Sequence, residues 1–196
     1  MRALPFAVIP AVLLLALLPQ DPIEHAQMLQ RAQQFARVHE PHQTLQALVG
    51  SWDIEVRTTA AGQKESNDRG TVVGKAILGG RYVVLNFQLS LQGGAIEGVQ
   101  ILGFDNLTQR YTSSWRDDLS TWAVECSGGA EEKDPRHLRL QGELADASSP
   151  TGRAFRLELD LPPKGATGAA EKVAMRLYDT VAGREVLTQE QVWKRR

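Results

Sequence analysis

Arg81 is the side chain whose type and position are most suggestive of chemistry, because it follows Gly79-Gly80 and leads a run whose alternate residues Val83, Leu85, Phe87 and Leu89 are apolar. Two glycines permit a tight reversal. An arginine turned toward the apolar side needs a carboxylate, since an unpaired buried charge is costly. Glu97, Asp105 and Asp117 are the acids that could supply one. Two readings fit: a clamp for an anionic ligand, or an ion pair tying strands together. Tyr111, Ser113 and Trp115 share one side of their run by period two, and Trp122 follows, so these rings could line a cavity or fill a core. Tyr82, Asn86 and Gln88 share the polar side of the third run, which is wet or lumenal. The candidate ligand-binding residues are therefore Arg81, Tyr82, Glu97, Tyr111, Trp115 and Asp117.

No nucleophile, acid or base constellation emerges, so no catalytic residue is assigned. There is no Gly-x-Ser-x-Gly and no phosphate loop. His25, His39, His42 and His137 are the only histidines, and none lies in the last strands, where a haem-binding barrel would be expected to carry its ligand. His39 and His42 are three apart, but Pro41 stands between them and no third ligand is near. No metal and no cofactor are expected; His42 reads as a surface or capping residue. Cys126, the single cysteine, sits in an alternating stretch and reads as a small buried filler. With 22 Lys and Arg against 23 Asp and Glu, interspersed along the chain, there is no basic footprint for nucleic acid or anionic lipid.

The elements that must position these residues change character at Gly50. Before it, Pro22 to Val49 lacks glycine and reads as helix, interrupted at Pro41, with a second short helix from Pro41 to Leu48 that Gly50 stops. After it come ten runs of β-formers: 51–59, 70–78, 81–91, 95–104, 110–116, 121–127, 137–143, 154–161, 172–179 and 185–194. Several alternate cleanly, as where Phe155, Leu157 and Leu159 oppose Arg156, Glu158 and Asp160. Turn residues separate them, among them Gly93-Gly94, Asp134-Pro135 and Ser149-Pro150-Thr151-Gly152. Ten strands in a meander exceed what an open twisted sheet usually holds, so closure into a barrel is expected. The fold class is mainly β: one antiparallel up-and-down barrel preceded by a helical segment. The Gly- and Ala-rich stretch 162–170 reads as a mobile loop.

Residues 1–20 carry one positive charge, Arg2, then an apolar run broken by Pro5 and Pro10, and polarity resumes at Asp21. That is a signal-peptide pattern, too short for a comfortable membrane span. Cleavage would leave 21 basic against 23 acidic residues, a net charge of −2. The expected domains are thus a leader (1–20), a helical lead-in (21–49) and a barrel (50–196) in a periplasmic or secreted protein with no stable membrane insertion.

Gly50-Ser51-Trp52 opens the first strand and Trp193-Lys194-Arg195 closes the last, a pairing that resembles the calycin barrels. The resemblance implies that Trp52 packs beneath a cation from the last strand, either Lys194 or Arg195, closing one end; a cation over an indole is worth about 0.5 to 2 kcal/mol. A longer pattern includes His42-x-x-Leu45-x-x-Leu48-Val49-Gly50-Ser51-Trp52-Asp53, Gly70-Thr71, Leu78-Gly79-Gly80-Arg81-Tyr82, Glu97-Gly98, Gly103-Phe104-Asp105-Asn106, Trp115-x-Asp117 and Tyr178-Asp179. It is similar to the bacterial domain of unknown function 1579 family; the resemblance implies a lipocalin-like barrel and brings no established activity with it. Three readings stay open. The first is a non-enzymatic barrel holding a small apolar or amphipathic ligand. The second is a cell-envelope structural or interaction protein with a filled barrel. The third is an enzyme in which Arg81 stabilises a developing anion beside Glu97.

Overall fold

The computed structural model describes residues 22–59, 65–91, 93–146, 149–163 and 171–196. The proposed leader, residues 1–20, lies outside them, as does most of the expected loop 162–170. No helix among the described residues is long and apolar enough to cross a membrane. The chain divides into two units, one ending at Arg37 and the other running from Val38 to Arg196. The described part of the first contains helix α1 (Pro22–Phe35).

The second unit begins with helix α2 (Glu40–Leu45), where Pro41 occupies the first turn at no hydrogen-bonding cost. The His39 backbone N–H donates to His42 Nδ1 (3.1 Å), so His42 caps the helix, but it does so buried rather than at the surface. A single 3-10 turn (Gln46–Leu48) follows, and Gly50 reverses the chain at φ +128. Leu45 and Leu48, three apart on one helical side, are both fully buried.

Ten antiparallel strands follow: β1 (Gly50–Thr58), β2 (Ser66–Ile77), β3 (Tyr82–Leu91), β4 (Gly94–Asp105), β5 (Arg110–Asp117), β6 (Val124–Glu131), β7 (Asp134–Asp146), β8 (Ser149–Asp160), β9 (Lys172–Val181) and β10 (Arg184–Arg195). Each pairs with its sequence neighbours, and β1 pairs with β10, closing the barrel as expected. Several boundaries differ from the sequence reading. β2 starts at Ser66, four residues before the expected Gly70. β6 starts at Val124, leaving Trp122 in the preceding connection. Asp134-Pro135 belongs to the start of β7, where a proline is tolerated, because Glu131 already pairs with Asp134. Likewise Asp146 pairs with Ser149, so 149–152 is strand rather than turn.

The 3-10 turn and the two ends of the ring meet at one end of the barrel. Trp52 is opposite Arg195 in the β1–β10 register, so both point inward, while the neighbouring pair Asp53 and Lys194 points outward. The Arg195 guanidinium lies 4.1 Å over the Trp52 ring. It donates from Nη1 to the Val49 carbonyl (2.8 Å) and from Nη2 to the Ala47 carbonyl (3.2 Å), and its Nε pairs with Glu171. Trp52 Nε1 donates to the Leu48 carbonyl at 3.0 Å. Carbonyls orphaned at the end of the 3-10 turn thereby find donors. Of the two cations the calycin resemblance offers, Arg195 is over the ring; Lys194 reaches outward to Glu55 (2.6 Å).

Outside, β7 to β10 carry a lattice of ion pairs. Glu158 is buried and pairs with Arg156 and Arg139, and Arg176 bridges Asp160 (2.7 Å) and Glu190 (3.3 Å). Burial pushes the Asp160 carboxyl up, but hydrogen bonds from His137 and Arg176 outweigh it and hold the group below its ordinary value.

Two outcomes follow for stability in urea or on heating. Trp52→Ala should cost about 3 to 5 kcal/mol, as for a fully buried aromatic. Arg195→Ala should cost on the order of 2 kcal/mol, because charge-assisted bonds to the lead-in are lost, whereas Lys194→Ala should stay within about 0.5 kcal/mol. His42 titrates below its ordinary value of 6.5, chiefly because burial disfavours its charged form, with His39 adding to this and the Phe104 carbonyl opposing it. The unfolded chain therefore takes up this proton first as pH falls, and stability should drop in the window below 6.5. Melting temperatures measured between about pH 7 and pH 5 should show a smaller loss in His42→Gln.

Candidate functional site: the open half of the barrel

The inward side chains divide the interior into two halves along the barrel axis. In the closed half an aromatic column fills the lumen: Trp52 meets Trp193 (6.4 Å between ring centroids), Trp193 meets Phe87 (5.5 Å) and Phe87 meets Trp115 (5.1 Å), each edge to face. Around it Leu102, Leu138, Leu140, Leu159 and Val173 are fully buried. Beyond Trp115 the column stops, and a cavity of about 670 Å³ occupies the open half. That size lies within the ordinary range for small-molecule sites.

The cavity's walls are Leu89, Leu91, Ile96, Leu144, Phe155 and Leu177, with Leu119 and Trp122 exposed at the mouth. Trp115 forms one wall because Gly98, diagonal to it across β4 and β5, has no side chain: a Cβ there would collide with the indole. The Trp115 Nε1–H donates to Asp117 Oδ2 (2.7 Å), and Asp117 Oδ1 accepts from the Leu119 backbone (3.1 Å). This fixes the indole and the start of the β5–β6 connection together. Asp146, also at the mouth, pairs with Arg153 (2.7 Å), which also holds Asp179 (2.8 Å). The inner end is polar. Gln100 Nε2 donates to Ser113 Oγ (2.9 Å), and Gln191 Oε1 accepts from Trp193 Nε1 (2.9 Å). Cys126 completes it, its thiol pushed up to about 11 by burial despite an opposing hydrogen bond with Ser113. Among the described residues the lining holds no Lys, Arg or His.

Of the six residues singled out from the sequence, Trp115 and Asp117 line this cavity. The other four do not meet there. Arg81 is a correction to the lumenal reading: it belongs to the turn before β3, where strand alternation does not yet apply, and its Nη1 donates to the Leu78 carbonyl (2.8 Å) at the closed end. That turn takes φ of +50, +68 and +85 at Leu78, Gly79 and Gly80, and the Gly80 carbonyl accepts from Gln46 Nε2 (3.1 Å), so the Gly-Gly element anchors the lead-in. Tyr82 lies on the outer face, partly exposed. Glu97 is outward on β4, its backbone N–H donating to Asp118. Tyr111 is inward but at the closed end, against Phe104 (5.0 Å). Of the acids considered for Arg81, Asp105 is instead engaged by its own turn, accepting from the Leu107 backbone and Thr108 Oγ1. The clamp pairing Arg81 with Glu97 is therefore not assembled. Gln100, Gln191 and Asp146 were not singled out. Their signal is a polar residue in phase with apolar inward neighbours, as Gln100 is with Ile96 and Leu102.

A closed ten-stranded barrel with a plugged end and a hollow end defines a calycin-like protein. The family model described as "Protein of unknown function (DUF1579)" matches residues 37–159, and the chain belongs to that family. Among solved structures it is similar to the crystal structure of Rv2717c from M. tuberculosis, at 12% identity and a TM-score of 0.57, covering 82% of this chain and 99% of that one. That likeness is one of fold. No curated protein matches the sequence.

At about pH 8 a thiol held near 11 is deprotonated in only about one molecule in a thousand. Cys126 should therefore resist a disulfide reagent in the folded protein and react fully once the protein is unfolded in urea, measured by the thiolate released.

Proposed function

We propose that this protein is a non-enzymatic barrel that binds a small, uncharged apolar or amphipathic molecule in its open half. The observation carrying this is the cavity of about 670 Å³ whose walls are aliphatic and aromatic and whose lining, among the described residues, has no cation. An anion would lose its hydration there with no guanidinium or ammonium to replace it, and would meet Asp117 and Asp146 at the mouth. Burying apolar ligand surface is favourable at roughly 25 cal/mol per Å² before the costs of binding. Chemistry is not supported. The Cys126 thiol is held protonated, and Asp117 and Asp146 are each committed to a donor. A filled structural barrel is the less favoured reading, because the side chains fill only the closed half. The leader pattern in residues 1–20 supports export and action outside the cytoplasm.

N-phenyl-naphthylamine, which is neutral and fluoresces in apolar sites, should bind saturably. Its sulfonated analogue, anilinonaphthalene sulfonate, should bind at least tenfold more weakly. Leu144→Trp, which adds volume at a half-buried position of the wall, should weaken the neutral dye while leaving the melting temperature nearly unchanged. Absence of saturable binding by the neutral dye would sink the proposal. For export, the mass of protein recovered from the periplasm or medium should lack the first twenty or so residues.

A further inference from the structure

One aromatic ring is held differently from the others of the interior. Trp52, Trp193 and Phe87 are buried in the closed half, whereas Trp115 is only half-buried and lines the cavity. Its surroundings lay the indole flat on the barrel wall. Gly98 on β4 supplies bare backbone beneath it. The place a Cβ would take at Gly98 is nearest to Cη2, Cζ2 and Cζ3, all carbons of the six-membered ring, so that ring covers the glycine. Phe87, the partner of Gly98 in the β3–β4 register, stands beside the indole at 5.1 Å between centroids, its plane tilted by 70°. At the five-membered ring, Nε1–H donates to Asp117 Oδ2 (2.7 Å), and Asp117 is itself fixed by the Leu119 backbone N–H.

The face of the indole turned away from Gly98 is therefore the one that meets the cavity. Across the lumen, four strands round the ring, β9 turns Met175 and Leu177 into the same space. A fixed aromatic plane thus faces a side that includes a methionine, whose unbranched chain moulds itself to what lies against it. A tryptophan that served only to fill space would be covered on both faces. Here one face borders empty volume, and the glycine that makes room for the other weakens the strand it interrupts; glycine in mid-strand often marks a place of close approach.

We propose, resting on the binding reading above, that Trp115 is a stacking platform. The ligand carries a planar, uncharged aromatic or conjugated ring system, comparable in width to the indole, laid on its lumenal face. Offset stacking adds to the gain from area burial, because the negative face of one ring meets the positive edge of the other. A puckered, saturated ring of the same carbon skeleton cannot make that contact. Gly98 and Asp117 are positioning residues for this contact, acting on the ligand through the indole.

Competition for bound N-phenyl-naphthylamine by naphthalene and by decalin, its fully saturated counterpart, tests this in the intact chain. Each affinity is referred to the compound's own octanol–water partition, which removes the difference in apolarity. On that scale naphthalene should compete about fivefold more tightly in the wild type. The ring protons of bound naphthalene should also shift upfield in the NMR spectrum, as protons held over an aromatic face do. In Trp115→Leu, which keeps the wall apolar, the preference for naphthalene should disappear. No preference in the wild type, no upfield shift, or a preference that survives in Trp115→Leu overturns the platform while leaving the cavity a binding site. Failure of the dye itself to bind overturns both. The two wild-type measurements stand even where Trp115→Leu proves unstable.

Discussion

The stack of Arg195 on Trp52 joins the first strand and the 3-10 turn just before it to the last strand, which is far from both in sequence. A barrel has no free edge only if its first strand pairs with its last, and that closure is the pairing most distant along the chain and therefore the most demanding in loop entropy. Here the closing register puts an indole and a guanidinium opposite each other on the inner side, 4.1 Å apart. The guanidinium is then spent on carbonyls of the lead-in, at Val49 and Ala47, and the indole on that of Leu48. Strand closure, end plugging and capping of the 3-10 turn become one event. An interaction of this kind is favoured by the fork geometry of arginine, which satisfies two carbonyls and a carboxylate while its plane lies on the ring.

Everything else in the interior follows from which end that plug occupies. The aromatic rings nearest it interlock edge to face, and aliphatic side chains from the opposite strands fill the remaining space at the closed end. Farther out, the inward positions pass to Gly98, Gln100, Ser113 and Cys126, which are too small or too polar to meet across the lumen. Volume left unfilled is costly when it is simply a defect, since core cavities destabilise in proportion to their size. In a barrel whose closed half is filled and whose walls are stiffened by strand pairing, an empty open half is tolerable, and such emptiness is what a ligand can use.

The exterior bears a different constraint. Charges of both signs alternate across β7 to β10, so that Arg139 and Arg176 face carboxylates on adjoining strands and Arg156 reaches across β9 to Glu185 on β10. Glu158, though on the outer side of β8, is buried and pairs with Arg139 and Arg156. Pairing of this kind adds little per exposed pair, but it helps set register across strands.

The sequence by itself determined the ten strands, their order and the need to close them, because period-two alternation and turn residues are local signals that hydrophobic burial obeys. It also marked Trp52 with Lys194 or Arg195 as the pair at the closure, and Trp115 as sharing one side of its strand with Tyr111 and Ser113, while Asp117 was legible only as an acid just past that strand. What only the tertiary structure decided is where along the barrel axis each inward residue falls. Alternation says in or out, not near or far from the plug, so Tyr111 and Trp115 look equivalent in sequence yet sit in the solid and hollow halves. Arg81 shows a second limit: it is one residue short of its strand, in a turn whose three positive φ values aim it away from the lumen. Register across β1 and β10 chose Arg195 over Lys194. The cavity itself is a property of side chains from eight strands failing to meet, which no single segment encodes.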